Sequence, residues 1–359
     1  MARRDLTLGQ RALNRATLAR QCLLERSSVP LVDLVEHLVG LQAQSPTAPH
    51  LGLWSRLDAF RPSELDDLLV DRHLVRIVLM RGTIHLVSAE DCQQLRPVFQ
   101  PILDQDVRTN RDVAPHIDGV DLVALREAAR AIVEDEPCTP GELGRELGRQ
   151  WPDRNQRALA YAARDLLPLV QVPPRGLWHG RGATRHTTAH AWLGRPLTTK
   201  ASVERVVLRY LAAFGPASIA DAQTWAGLRG FREVVERLRP ELRTFRSEAG
   251  VELFDLPDAP RPPADSPAPA RLVAPFDNLL LSHADRSRVV DDDARKRIVS
   301  KNGIVSGTVL VDGFVAGTWK LAPGRPAASV EITAFRRLAA DERAAVEAEA
   351  HRLEALASA

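Results

Sequence analysis

The amino-acid sequence predicts a mainly α protein with β-hairpin wings. This α+β fold would consist of three tandem winged-helix modules, a β-rich C-terminal segment and a terminal helix. Three observations predict it. First, a long amphipathic helix, a Pro/Ser/Thr turn, a short helix, a further helix and two strands recur three times along 359 residues, a length that suggests two or three domains or repeated modules. Second, prolines 257, 260, 262, 263, 267 and 269 crowd one short stretch. Third, the chain turns β-rich beyond them, around Asp312-Gly313, a two-residue hairpin signal. A helical bundle with incidental hairpins is the alternative that this pattern alone allows.

The first module, 8–118, opens with a helix over 8–24. Ser28 and Pro30 start a short helix whose apolar face is Leu31, Leu34, Val35, Leu38 and Val39. Gly40 can end it, and Ser45 can cap the next helix with Pro46 at its first position. Strands over 75–80 and 83–87 meet at Arg81-Gly82. In the second module, 119–196, Leu122, Leu125, Ala129, Ile132 and Val133 mark a helix that Pro137 breaks. Thr139 with Glu142 forms a capping box, 155–167 is the next helix, and strands follow near 169–172 and 183–188. In the third module, 197–256, Val203, Val206, Val207, Tyr210, Leu211 and Phe214 fall at helical spacing and Gly215-Pro216 stops the helix. Ser218 caps a helix through Trp225, a basic helix covers about 230–240, and 242–246 with 251–256 read as a hairpin. The proline stretch, 257–270, reads as a polyproline-like mobile linker. In the final segment, 271–359, strands over 304–311 and 314–321 flank Asp312-Gly313, residues 329–335 add a strand, and an Ala/Glu-rich, net acidic helix covers about 340–357.

Composition narrows the function. Cys22, Cys92 and Cys138 lie far apart without a Cys-x-x-Cys, which argues against a disulfide framework or zinc ribbon and for a reducing, cytoplasmic setting. No apolar run reaches ~18 residues, so no membrane span is expected. Met1-Ala2-Arg3-Arg4-Asp5 leads into an amphipathic helix, not an apolar signal core. There is no G-x-G-x-x-G after a strand, no Walker loop and no His-Glu-x-x-His, so no metal or organic cofactor is expected.

Charge first argues against nucleic acid, since 48 basic and 46 acidic residues leave +2. Four of the basic residues are lysine and 44 are arginine, a skew that fits coding bias and also phosphate recognition. Placement sharpens it. Residues 145–186 hold eight arginines against Glu146, Asp153 and Asp165, a net +5. Arg154 stands just before the 155–167 helix. Arg157 and Arg164 share one face of that helix, in the recognition position of a winged helix, with Ala158, Ala162 and Leu166 inward. A second basic run from Arg286 to Lys301 is almost cancelled by Asp285 and three aspartates at 291–293. Aromatics make up only 5%, too few to indicate a stacking platform.

The local feature richest in chemistry is Leu41-Gln42-Ala43-Gln44. If this connection is extended, Gln42 and Gln44 project to one side and can converge on one spot. Two exposed or capping glutamines are the plainer reading. Around them stand Gly40 and Ser45-Pro46-Thr47-Ala48-Pro49, then Leu51-Gly52-Leu53-Trp54, then Leu79-Met80-Arg81-Gly82-Thr83-Ile84-His85-Leu86-Val87 and, far downstream, Ala274-Pro275-Phe276-Asp277-Asn278-Leu279-Leu280. This combination resembles the AlkZ/YcaQ family of winged-helix DNA glycosylases over roughly 8–356.

The resemblance implies a C-shaped arrangement of the modules with a concave DNA-binding face. It also implies a monofunctional glycosylase acting as a monomer on N7-alkylated purines in double-stranded DNA. Gln at both motif positions is similar to the AlkZ branch, associated with unhooking bulky adducts and interstrand crosslinks. By analogy, the protein would give self-resistance to a DNA-alkylating natural product. Gln42 and Gln44 would be catalytic, with Gln44 orienting the water and Gln42 supporting it. Arg81, Thr83, His85, Arg154, Arg157, Arg164 and Arg286 would contact DNA, and Asp277 and Asn278 would border the active site. The residues themselves leave two of these roles open: His85 could be a satisfied histidine on a half-buried strand, and Asp277 could cap a turn. Two other functions remain open on the residues alone, a winged-helix transcriptional regulator and a protein-interaction scaffold.

Overall fold

The computed structural model describes residues 6–322 and 328–358; the N-terminal reading of Met1 to Asp5 lies outside them. In chain order the elements are β1 (Leu6–Leu8), α1 (Gln10–Arg20), α2 (Leu31–His37), β2 (Leu41–Gln42), α3 (Ala48–Trp54), α4 (Pro62–Val70), β3 (Leu74–Val78) and β4 (Ile84–Ser88). Next come α5 (Ala89–Thr109), α6 (Ala114–Ile117), α7 (Leu122–Asp135), α8 (Pro140–Gln150), α9 (Gln156–Leu166), β5 (Leu169–Val172), β6 (Arg185–Thr188) and α10 (Ala189–Leu193). The remainder is α11 (Val203–Phe214), α12 (Ile219–Ala226), α13 (Phe231–Leu238), β7 (Arg243–Ser247), β8 (Glu252–Asp255), β9 (Arg271–Val273), α14 (Asp292–Ile298), β10 (Gly307–Val311), β11 (Phe314–Ala322), β12 (Ser329–Ala334) and α15 (Ala340–Ala357). Contacts divide the chain into two compact units. Unit 1 is 1–61, 204–225 and 229–359, and unit 2 is 62–203 and 226–228.

Unit 1 is organised by α1. In one sheet β7 lies between β1, which is parallel to it, and its hairpin partner β8. The other sheet runs β12-β11-β10-β9, all antiparallel. Asp312 (φ 49°) and Gly313 (φ 82°) form the tight turn between β10 and β11, as the Asp-Gly pair predicts. Glycine is needed here twice over. Besides its left-handed φ, a Cβ on Gly313 would lie 2.4 Å from Asn14 Oδ1 on α1. Arginines on α1 then tie distant segments together. Arg11 and Arg15 pair with Asp312 and donate to the carbonyls of Ala264 and Ser266, each at 2.7 Å. Arg20, fully buried, forks onto Asp255 at 2.7 and 2.8 Å. The proline stretch is therefore irregular, as expected, but it is pinned to a helix and not a loose linker. Behind α1, Leu18 and Leu23 join Val273, Leu279, Leu280 and Leu310 in one apolar core.

Unit 2 contains the expected Thr139–Glu142 capping box. Thr139 Oγ1 accepts the Glu142 N–H at 3.2 Å and Glu142 accepts the Thr139 N–H at 2.8 Å. Asn155 caps α9, and Ala158, Ala162 and Ala163 bury that helix against Leu125, Val133 and Leu147. α8 can approach α9 closely because Gly144 has no side chain; a Cβ there would lie 2.5 Å from the Gln156 carbonyl. The hairpins expected as separate wings, β3–β4 and β5–β6, instead join. β3 pairs with β5 (Ile77 opposite Val170), giving the antiparallel order β4-β3-β5-β6. α5 is an element that the sequence reading did not assign. It spans 21 residues and carries Pro97 and Pro101 internally, with Ser88 accepting the Asp91 N–H at its start. Among the described residues no helix is long and apolar enough to cross a membrane.

Candidate active site

The Gln-x-Gln segment follows a forced reversal. At the end of α2, Val39 (φ 54°) and Gly40 (φ 87°) are both left-handed, and the Gly40 N–H returns to the Val35 carbonyl at 2.9 Å. The chain then extends only over Leu41–Gln42 and bends at Gln44 and Ser45. The strand-like alternation expected across all four residues is thus cut short. Gln42 is buried, at 6% exposure, while Gln44 is exposed to solvent. The helix expected to be capped by Ser45 begins later, at Ala48, after Thr47. Its Gly52 faces the strand, and a Cβ there would lie 2.9 Å from Leu41 Cδ2, so the missing side chain lets α3 sit directly behind the motif.

Beneath the motif lies a charge pair that the sequence reading did not find. Arg56 donates to both Asp277 oxygens, Nη1 to Oδ2 at 2.8 Å and Nη2 to Oδ1 at 2.9 Å, with both side chains almost fully buried. Arg56 also donates to the Gly52 carbonyl at 3.0 Å and to Gln21 Oε1 at 3.1 Å. Its sequence signal was an arginine four positions after Gly52, just past the end of the largely apolar helix α3. Asp277 further accepts the Leu279 N–H at 2.9 Å and so starts a 3-10 turn over Asn278–Leu280. That turn sets Asn278, whose Nδ2 donates to the Gly40 carbonyl at 3.4 Å. Asp277 is therefore a turn cap and the partner of an arginine. With both oxygens engaged, it is poorly placed to accept a proton from a substrate or water.

These groups meet at a small cavity in unit 1, about 10 Å³, the room needed by one water. Its polar lining includes Gln42, Gln21, Arg56, Asp277 and Asn278. The ion pair cancels its own charge, which leaves amides as the neutral hydrogen-bonding groups. Amides can accept through oxygen and donate through nitrogen at one spot, as holding a water requires. Arg286, also in unit 1, is half-buried. Burial and the nearby Arg295 lower its pKa, and it does not line this cavity.

Unit 2 holds the other expected residues. Arg81 sits in a 3-10 turn over Met80–Gly82 with φ 56°, a left-handed conformation rare for a bulky residue. Thr83 is half-buried, and its hydroxyl donates to the Met80 carbonyl at 3.0 Å. His85 corrects the expectation of DNA contact. The ring is fully buried on β4, its Nδ1 lies 3.0 Å from the Thr83 carbonyl, and burial and Arg81 push its pKa down to about 3. A neutral ring closed off from solvent does not reach a duplex, and the plainer reading of a satisfied histidine on a half-buried strand is met only in part, since the strand is buried and Nε2 has no hydrogen-bond partner among the described residues. Arg154 is half-buried and Arg157 exposed, and neither forms an ion pair among the described residues. Arg164 is held in place. Its Nε donates to Asp165 at 2.9 Å and its guanidinium lies 4.0 Å from the centroid of the Tyr161 ring. Among the described residues no group of three or more His, Cys, Asp or Glu could hold a metal ion.

Comparison with known proteins fits this geometry. The sequence model of a family described as DNA glycosylase AlkZ-like matches residues 35–356. An interstrand DNA cross-link repair glycosylase of Streptomyces sahachiroi is 26% identical over 334 residues, covering 85% of each chain. The solved structure of Streptomyces sahachiroi DNA glycosylase AlkZ superposes with a TM-score of 0.81 at 22% identity, covering 98% of this chain and 97% of the other. The match reaches from the Gln-x-Gln segment through the Asp277–Asn278 turn into the terminal helix, and on that ground the chain belongs to the AlkZ-like family of DNA glycosylases.

Proposed function

We propose that this glycosylase hydrolyses the N-glycosidic bond of N7-alkylated purines in double-stranded DNA, using water as nucleophile, Gln42 and Gln44 as catalytic residues, and no metal or organic cofactor. The observation that carries this reading is the placement of Gln42 beside Asn278 at a neutral, water-sized cavity, with Gln44 exposed two residues on.

The chemistry follows from the leaving group. Glycoside cleavage passes through an oxocarbenium-like state at the sugar. N7 alkylation makes the purine cationic, so it departs without strong general-acid help. What remains is to place a water against the sugar carbon. The exposed Gln44 carbonyl accepts from that water and tolerates the developing positive charge, and the buried Gln42 amide fixes the water's other partners. A carboxylate would give stronger base catalysis, which a cationic purine does not need.

The same reading extends to bulky adducts and interstrand crosslinks, the substrate class that the name of the Streptomyces sahachiroi relative states for that protein. A role in self-resistance to a DNA-alkylating natural product accompanies it. The fold is read as three winged-helix modules acting as a monomer, with Arg81, Thr83, Arg154, Arg157, Arg164 and Arg286 toward DNA phosphates. The test is to incubate the protein with duplexes carrying N7-methylguanine or a bulkier N7 adduct. Free modified base and an abasic site are expected, and no release from either duplex would overturn the assignment.

A further inference from the structure

Unit 2 contains a large cleft that takes no part in the chemistry proposed at Gln42 and Gln44, although two of its arginines, Arg157 and Arg164, are among those read toward DNA. It lies between α8 and α9, opens over about 620 Å³, and falls within the range of roughly 300–1,000 Å³ typical of small-ligand sites. Leu143, Ala160 and Leu169 give it apolar walls. Three arginines line it, Arg145, Arg157 and Arg164, and no carboxylate does. Arg145 and Arg157 are exposed and form no ion pair among the described residues. The third, Arg164, is stacked over Tyr161, so one wall presents a flat cation–aromatic face.

His186 makes this more than a basic groove. The residue is 9% exposed and lines the cleft, and its ring has no hydrogen-bond partner among the described residues. Its backbone, by contrast, is satisfied by Cys138 through bonds of 2.8 and 3.1 Å. A neutral imidazole offers one donor and one acceptor, and neither ring nitrogen is sealed inside the protein, so both can meet a ligand that enters the cleft. Burial and Arg164 push its pKa down to about 4, so the ring stays neutral at pH 7.

We infer that the α8–α9 cleft binds a nucleotide, with its phosphate on Arg145 and Arg157, its base stacked against the Arg164–Tyr161 face, and the base edge hydrogen-bonded to His186. Guanidinium forks match phosphate oxygens, and aromatic and guanidinium planes stack bases of any sequence. The nucleotide can be free or part of an unpaired DNA strand; the recognition chemistry is the same. The inference does not rest on the assignment of Gln42 and Gln44, and its test involves no catalysis.

The test uses full-length protein labelled with ¹³C at histidine and titrated with dGMP, deoxyguanosine or a short single-stranded oligonucleotide. The His186 signal, assigned by its loss in His186→Phe, should shift saturably with dGMP. Deoxyguanosine should bind at least tenfold more weakly. Arg145→Ala/Arg157→Ala should weaken dGMP at least tenfold with an unchanged circular dichroism spectrum, whereas Arg149→Ala, which removes an exposed partner of Glu146 outside the cleft, should not. A His186 response to the oligonucleotide alone would support the inference and place the nucleotide in a DNA strand. No His186 shift with either phosphorylated ligand, equal binding of deoxyguanosine and dGMP, or binding indifferent to the loss of both arginines would overturn it.

Discussion

Replacing Arg56 with Met tests the support beneath the glutamine motif. Arg56 is 1% exposed, and its two nitrogens meet the two oxygens of Asp277, itself 6% exposed, at 2.8 and 2.9 Å. Methionine keeps much of the apolar stem but leaves Asp277 buried with the Leu279 N–H as its remaining donor in that turn. Breaking one side of a buried ion pair costs about 3–5 kcal/mol, because the surviving charge is desolvated without compensation. The expected loss of unfolding free energy in urea is therefore about 3–5 kcal/mol. Asp277→Asn alone leaves the opposite charge stranded, and the double variant leaves neither. The singles and the double should then depart from additivity by about 2 kcal/mol, in the direction of recovery. Base release should fall in Arg56→Met under conditions where the fold persists, since Asn278 is set by the Asp277 turn and bonds the carbonyl just before the motif. A single variant within ~1 kcal/mol of wild type, or single effects that simply add, would refute the claim that this pair holds the site.

Three further outcomes follow from the geometry. Gly144→Ala should destabilise unit 2 by about 1–3 kcal/mol in urea, because the added Cβ meets the Gln156 carbonyl at 2.5 Å and backbone cannot give way as a flexible side chain can. Stability should drop between about pH 6 and pH 4.5. His85, His186 and His283 have folded pKa values of about 3, 4 and 3, below the free value, so the unfolded chain binds their protons first. Asp165, raised to about 6 by burial, opposes them by one proton. The net slope is on the order of 2–3 kcal/mol per pH unit; urea midpoints that stay level from pH 7 to pH 5 would contradict it. Arg157→Ala should weaken duplex binding alike for all sequences and reduce the salt slope by about one, measured by anisotropy at several salt concentrations.

Much of the fold was legible because short-range rules govern it. The Thr139–Glu142 box and the Asp312-Gly313 turn are local chemistry, and each stands where the residues put it. α5 was not legible, because Pro97 and Pro101 read as breakers although buried packing of Leu95, Phe99 and Leu103 carries the helix through both. The joining of two hairpins through Ile77 and Val170 depends on residues 93 positions apart, which no local pattern encodes. At the site, the family-like segments named Gln42, Asp277 and Asn278, which do line one cavity. Arg56 was missed because a buried charge is recognised by its partner, and Asp277 lies 221 residues away. The arginine skew divides in the same way. Arg15, Arg20, Arg56, Arg96 and Arg288 are buried ties within the fold, whereas Arg145 and Arg157 face solvent.

Placement of the hydrolytic water by the glutamine pair is what the proposed function stands on. It is tested most directly by single-turnover release of N7-methylguanine from duplex DNA by wild type, Gln42→Ala, Gln44→Ala and the double variant, with duplex affinity measured alongside. The release rate of the double variant should fall roughly 10²–10⁴-fold, the range typical of a positioned catalytic group, with DNA binding within a few-fold of wild type. Full release by the double variant would contradict it.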